Sequence, residues 1–387
     1  MAGFVSQDDL INQISVNGKF FRADWNKLFN PTAAAVAGEW HTLFRGAGNP
    51  PADALYNTGT ALIQQQVFDV DPLASSIQHG GNVGAAGDDF KCLLNANAFS
   101  NAATSMPCIL ALVDVLAFYR VTTMTTTTAR STINGETFTA SSSSGLLLTY
   151  AQDWKNYSKV RFTTTTTLPT GLSLNTDYWL VRQSATTAKV ATSYANALAG
   201  TVIAFTDAGT GTHTLTLRLP RYSDGAGVQA IFFNSNATAL GAGTPNLTLP
   251  SYTNAAGTAS RATPSSPSPP IGKTAASNSH ILYSGATSAG KFGPYVPLQG
   301  GDGGIQSIQQ IQNSTSYVSG EYSVALVKQI CTMPLTTLGV ASEREFGSQI
   351  PSFPRVYDGA ALSWLLLSGA ATPANSAFYG ALELGWS

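Results

Sequence analysis

Charge is what this 387-residue chain most lacks. Lys, Arg, Asp and Glu together make up 11% of it, less than half the roughly 25% of ordinary soluble domains. Twenty basic residues against 21 acidic ones leave a net charge of −1. No basic stripe or arm gathers the positive residues, which removes the electrostatic footprint of a nucleic-acid binder. Cysteine is also scarce. Cys92, Cys108 and Cys331 are odd in number and far apart, so neither a disulfide framework nor a zinc knuckle is expected. Cys92 and Cys108 lie in apolar runs and read as small buried hydrophobes. The longest apolar stretch, residues 107–119, is interrupted by Asp114 and is too short to span a bilayer. The first nine residues lack the basic-then-apolar order of a signal peptide. The expectation is a chain made in a cytoplasm, soluble until it assembles.

Motifs that carry chemistry are missing as well. The sequence contains no G-x-S-x-G elbow, no complete G-x-x-x-x-G-K-[ST] loop, no H-E-x-x-H and no Cys-x-x-Cys. His41, His79, His213 and His280 are widely spaced, and structural roles are expected for all four. Asp8-Asp9 opens a helix, where the dipole favours negative charge, and Asp88-Asp89 sits in a glycine-rich turn, so neither reads as a catalytic carboxylate pair. Asp302, one acid among Gly300, Gly301, Gly303 and Gly304, supplies too few oxygens for calcium and suits a tight turn. No catalytic residue, cofactor site or metal site is expected.

Hydrophobic residues nevertheless make up 43% of the chain, so the polar surface must come from Ser, Thr, Asn and Gln. Such a surface suits large permanent contacts, because burying a hydroxyl or amide costs less than burying a charge. Residues 6–29 read as the main helix, with Ser6 and Asp9 as an acidic capping box and Leu10, Ile14, Phe21, Trp25 and Leu28 at roughly helical spacing; Gly18 weakens its middle. Asn30-Pro31 stops it. Further helices are expected over 32–44 and 90–103. Residues 109–119 read as a buried central strand, with Asp114 held by backbone or Ser/Thr donors at a sheet edge. Strands follow at 228–233, 246–249 (ended by Pro250), 305–311, 322–330 and 360–367, with 378–386 as a half-buried strand. Short strands about ten residues apart, with Gly/Pro turns between, indicate antiparallel β-sandwich architecture.

A threonine-rich, nearly charge-free block interrupts this pattern. It contains the run Thr163–Thr167 followed by Leu168-Pro169-Thr170-Gly171-Leu172, then Tyr178-Trp179-Leu180-Val181, then Phe205-Thr206-Asp207-Ala208-Gly209-Thr210-Gly211-Thr212-His213-Thr214. It resembles the Ig-like modules scattered through structural proteins of tailed bacteriophages. The flanking strings Leu219-Pro220-Arg221-Tyr222, Ser251-Tyr252-Thr253-Asn254, Gly293-Pro294-Tyr295-Val296-Pro297-Leu298 and Pro354-Arg355-Val356-Tyr357-Asp358-Gly359-Ala360 are similar to a family of phage structural proteins, for which the resemblance implies no catalytic residues.

The expected fold is therefore mainly β: an antiparallel, jelly-roll-like β-sandwich host with N-terminal helices and an inserted Ig-like β-sandwich. The expected divisions are a helical arm over 1–50, a host over 51–120 and 218–387, and an insert over 121–217. The resemblance implies a virion structural protein, not an enzyme, and foremost a capsid decoration (cement) protein. The alternatives are a major capsid protein, a tail or baseplate component with an adhesin role and, from another class, a secreted carbohydrate-binding or hydrolytic β-protein. No long charged spine helix follows the first thirty positions, which disfavours the major capsid protein. Expected partners are further copies of the chain, as a homo-oligomer such as a trimer, and other virion proteins such as the major capsid protein. Neither nucleic acid nor membrane is expected, and the insert is a candidate for weak surface glycan binding. Phe4, Leu10, Ile14, Phe20, Phe21 and Trp25 are the expected assembly contacts, as apolar anchors of a terminal arm.

Overall fold

The computed structural model describes residues 4–29, 35–44, 46–52, 62–69, 76–80, 91–101, 106–121, 125–141, 147–235, 247–264, 279–282, 293–313, 316, 320–347, 353–370, 372 and 376–387. The Asn30-Pro31 stop, the Asp88-Asp89 pair and most of the Ser/Pro segment 263–270 lie outside them. The fold is mainly β and antiparallel, consistent with the sandwich class.

A six-stranded sheet forms the central layer. Its order is Val228–Asn234, Tyr322–Leu335, Cys108–Val121, Leu362–Ser368 and Trp40–Thr42, and Gln64–Gln66 joins Cys108–Val121 beyond the end of Leu362–Ser368. One face of this layer meets two other sheets. The five-stranded sheet, in the order Ser342–Glu345, Lys91–Ser100, Ser376–Trp386, Phe20–Phe29 and Gly48–Asn49, packs on Leu110, Leu112, Met333 and Trp364. The three-stranded sheet of Leu247–Asn254, Ile305–Asn313 and Arg130–Ser131 packs on Tyr119, Val324, Leu326 and Phe232. The opposite face buries Ala111, Val113, Val115 and Phe118 beneath Phe44, Val67 and Ile281. Burial on both faces explains the continuous apolar run at 109–119, because neither set of alternate side chains meets water.

The two longest strands serve both partner sheets through bulges. Their ladder skips Leu116 on one strand and Ile330 on the other. Each extra residue reverses which alternate positions point inward. Leu110 and Leu112 therefore face one sheet while Ala117 and Tyr119 face the next, and Leu326 gives way to Cys331 and Met333. Between the two cores, on this same face, sit the paired positions Asp114 and Lys328.

The threonine-rich block folds as a closed antiparallel barrel. Its ring order is Lys159–Thr164, Asp177–Arg182, Thr187–Ala191, Leu147–Thr149, Gly135–Ser141 and His213–Leu217, which returns to Lys159–Thr164. Phe138, Trp154, Phe162, Leu180, Val190 and Leu215 fill it. Each fully buried side chain of this size contributes about 1.5–3 kcal/mol. The Glu136 carboxylate pins the loop after Leu147–Thr149, accepting from the Ala151 and Gln152 amides and from Trp154 Nε1 at 2.8, 2.9 and 2.7 Å.

Three expected helices fail. The helix expected over 6–29 covers only Gln7–Ile11, continued by a π-helical turn, Asn12–Val16. The Ser6 half of its cap is as expected, with the Asp9 amide donating to Ser6 Oγ at 3.1 Å, while the Asp9 carboxylate accepts from the Val5 amide, one residue before the cap, at 3.0 Å. Gly18 then turns the chain at φ +65°, and Phe20–Phe29 runs as a strand along Ser376–Trp386. The described part of the second expected helix contains the strand Trp40–Thr42. The third, over 90–103, contains the strand Lys91–Ser100, in which Cys92 and Leu94 face the N-terminal helix while Leu93, Ala96 and Ala98 face the central layer. Pro250 does not end its strand either. The strand continues to Asn254, with the ladder register shifting between Thr248 and Ser251, where a missing N–H is tolerated.

Candidate functional site

Chain crossings between barrel and host converge on the gap between the two host cores. Gln66, buried on the host side, donates from Nε2 to the carbonyls of Lys159 and Arg218, each at 2.9 Å, and accepts from the Lys159 amide at 2.8 Å. Phe68 stacks on Tyr194 of the barrel with ring centroids 5.1 Å apart, and the Tyr194 hydroxyl donates to Asp69 at 3.3 Å. Tyr119 ties the barrel's entry to the three-stranded sheet, donating to Asn134 Oδ1 at 3.0 Å and accepting from the Ile308 amide at 3.4 Å.

Asp114 and Arg221 lie at the centre of this junction, 0% and 4% exposed. The guanidinium grips the carboxylate at both ends, from Nε at 2.8 Å and from Nη2 at 2.7 Å. It also donates to the carbonyls of Val67 and Val115, each at 2.9 Å, and the Ala361 amide completes the carboxylate at 3.0 Å. The expectation of an edge carboxylate held by backbone or Ser/Thr donors is thus corrected. Asp114 is in an inner strand, and its main partner is an arginine 107 residues later. A buried charge is tolerable with such a fully bonded fork.

Around the junction opens a cleft of about 710 Å³. Trp179, Tyr194 and Leu198 of the barrel form one wall, and Tyr222, Lys328 and Tyr357 of the host form the other. The turn carrying Tyr222 is fixed by a close backbone approach: a Cβ on Gly304 would lie 2.0 Å from the Gly225 carbonyl oxygen. Tyr222 itself takes φ +49°, a region bulky residues seldom enter. Its ring meets Tyr357 edge-on at 4.9 Å and carries the Lys328 ammonium at 5.4 Å. Arg355 lies over Tyr357 at 4.2 Å, and Lys159 over Trp179 at 5.4 Å. Burial, aided by the Asp114 charge, pushes the Tyr222 hydroxyl well above its ordinary range, so it remains a donor.

On the cleft floor the Lys91 ammonium pairs with Asp358 at 2.7 Å and reaches His79 Nδ1 at 3.2 Å. His79 Nε2 is 2.8 Å from the Ala360 carbonyl. Burial first, then the Lys91 charge, pushes the imidazole down to about 3. The ring is therefore neutral, donates from Nε2 and accepts at Nδ1.

The other singled-out residues fall elsewhere. Among the expected assembly contacts, Leu10 packs with Phe4 and Ile14 against Cys92, Leu94 and Phe353. Trp25 is 2% exposed and lies 5.0 Å from the Trp364 ring, Phe21 packs on the same core, and Phe20 is exposed. Asp302 serves its turn, accepting from the Tyr252 hydroxyl at 2.5 Å and Asn254 Nδ2 at 2.7 Å and pairing with Arg261 at 3.0 Å. His41 and His280, distant in sequence, bring their rings within 5.2 Å, with Glu39 3.5 Å from His41. Among the described residues no three His, Cys, Asp or Glu side chains form a metal-binding group. The three cysteines are buried and free, and burial pushes each thiol up to about 12.

The sequence gives no sign of the cleft. Part of its host lining falls within the strings Leu219-Pro220-Arg221-Tyr222 and Pro354-Arg355-Val356-Tyr357-Asp358, and Phe68, Lys91 and Lys328 come from elsewhere in the chain; nothing in their spacing indicates that they meet. Compared with protein families, curated proteins and solved structures, the chain matches none of them.

Proposed function

We propose that this chain is a structural component of a tailed-phage particle, and specifically a head decoration protein that works by contact and not by turnover. In this reading the packed sheets act as a jelly-roll-like host, and the threonine-rich ring takes the place of an Ig-like outward module. The observation that carries the reading is the outer side of the N-terminal segment. While Phe4, Leu10 and Ile14 pack inward, Val5, Ile11 and Val16 are 81%, 59% and 75% exposed, followed by Phe20 at 39%. Four exposed apolar side chains within sixteen residues of a chain this poor in charge suit a permanent neighbour in a shell. The assembly surface is then Val5, Ile11, Val16 and Phe20, with Phe4, Leu10, Ile14, Phe21 and Trp25 holding it in place.

The test is quantitative composition of purified particles from the phage that encodes the chain. A decoration protein is present in numbers comparable to the shell subunit and stays on tailless heads. A chain absent from particles overturns the reading, and one present in few copies and lost with the tail replaces it with a tail role. Ile11→Ser with Val16→Ser is expected to reduce incorporation while shifting the folding stability by no more than about 0.5 kcal/mol, as for ordinary surface changes.

A further inference from the structure

We infer that the cleft between barrel and host binds a small ligand through an oxyanion. A sugar acid and a phosphorylated metabolite are the two sources of that chemistry. This inference is independent of any place in a particle.

The first support is charge. The chain as a whole balances its acids and bases, yet the cleft lining has five cations against Asp224 and Asp358. Three of the cations are matched by carboxylates: Lys91 by Asp358, Lys159 by Asp177 and Arg221 by Asp114. Lys328 differs. It forms no salt bridge with a described residue and gives one hydrogen bond, at 2.8 Å, to the Ala226 carbonyl. An ammonium has three donors, so two remain for an incoming anion. Asp224, the exposed acid of the lining, accepts from the Ala226 amide at 3.1 Å.

The second support is what the aromatic rings offer. Lys328 lies over Tyr222, Arg355 over Tyr357 and Lys159 over Trp179. These cations occupy ring faces, which disfavours insertion of a flat base or hydrophobic ring. A ligand in the cleft meets phenolic hydroxyls, ring edges and N–H groups instead. Donors of this kind, with Asp224 the one exposed carboxylate of the lining, select oxyanions.

The third support is preorganisation. Tyr222 is held at a positive φ between Lys328 and Tyr357, on a turn locked by the Gly225–Gly304 approach. The Asp114–Arg221 pair lies directly beneath it and fixes the adjoining residue. Donors fixed before binding lose little freedom when the ligand arrives. The volume of about 710 Å³ falls within the usual span of small-molecule sites, and the walls belong to two separately closed cores, the usual setting for such a site.

The test is isothermal titration of the whole chain at low salt with trigalacturonate, tripolyphosphate and neutral maltotriose. At least one anionic probe is expected to bind saturably, to weaken with added salt, and to weaken by roughly tenfold or more in Lys328→Gln, the loss of one charge-assisted hydrogen bond. Trigalacturonate binding alone identifies a sugar acid, tripolyphosphate binding alone identifies a phosphorylated ligand, and binding of both marks a general oxyanion site. Silence with both anions, equal binding of maltotriose, or unchanged binding in Lys328→Gln overturns the inference. Should Lys328→Gln lower the melting temperature, Tyr222→Phe decides the question, because it removes one hydroxyl and keeps the ring. Unchanged affinity in that variant counts against the site.

Discussion

In the barrel, strands of three to seven residues bury one face. Phe138 points inward between the exposed Thr137 and Thr139, and His213–Leu217 buries His213, Leu215 and Leu217 in alternation. In the host, the 14-residue strands Cys108–Val121 and Tyr322–Leu335 lie in a layer covered on both sides. The barrel keeps its charges near the rim, as where Lys159 and Arg161 both bind Asp177 and, against its burial, draw that carboxyl below the usual range. The host places an aspartate and an arginine at its centre. One-sided burial lets hydroxyls supply the outer face, whereas the charged pair at the seam of the two-sided layer is bonded by both side chains and by the Val67, Val115 and Ala361 backbone.

The sharpest way to break this contrast is to remove Asp114. Asp114→Ala leaves the Arg221 guanidinium buried without its counter-charge, a loss of about 3–5 kcal/mol. Denaturant unfolding is expected to show the host and its junction weakened together. A void in the barrel is next in size. Leu215→Ala is expected to lose about 2–5 kcal/mol, and hydrogen exchange should place that loss in residues 135–217 while Phe20–Phe29 keeps its protection. Equal loss in both regions would mean that they unfold as one body. Gln66→Ala tests the link itself. It removes three hydrogen bonds across the junction and strands buried backbone groups, for about 1–3 kcal/mol. Barrel amides should then exchange more independently of the host.

The smallest expected effect concerns Asp302, whose carboxyl is held down to about 2, first by the Arg261 hydrogen bond and then by Tyr252 and Asn254. A depressed carboxyl stabilises the fold above its unfolded value, about 3.9, and that contribution fades as pH falls towards 2. The melting-temperature gap between the native chain and Asp302→Asn should therefore narrow from pH 5 to pH 2 and stay level above pH 5.

How much of this was legible follows from the same contrast. The barrel's alternation and the long apolar run at 109–119 could be read directly as strands. Residues 20–29 could not. Phe21, Trp25 and Leu28 fit a helical period, but the buried positions are Ala23, Trp25, Lys27 and Phe29. The alternation was hidden by a small residue and by a lysine that is 2% exposed because its ammonium is bonded to the Gly46 and Pro51 carbonyls at 3.1 and 3.2 Å. Residues 91–100 failed for a different reason. The ladder skips Leu94, and both faces are covered, by the central layer and by the N-terminal helix, so no period survived. The cleft depends on meetings across more than a hundred residues, such as Arg221 with Asp114 and Tyr222 with Tyr357, which no local pattern encodes.

The barrel begins and ends at nearly the same point. The Leu217 amide donates to the Asn134 carbonyl at 2.8 Å, and Ile133 is bridged to Ile63 of the host. A chain running straight from Asn134 to Arg218 would need only a tight bend to close the gap. The host thus offers a natural insertion point: a folded segment or a peptide tag spliced there starts and finishes side by side.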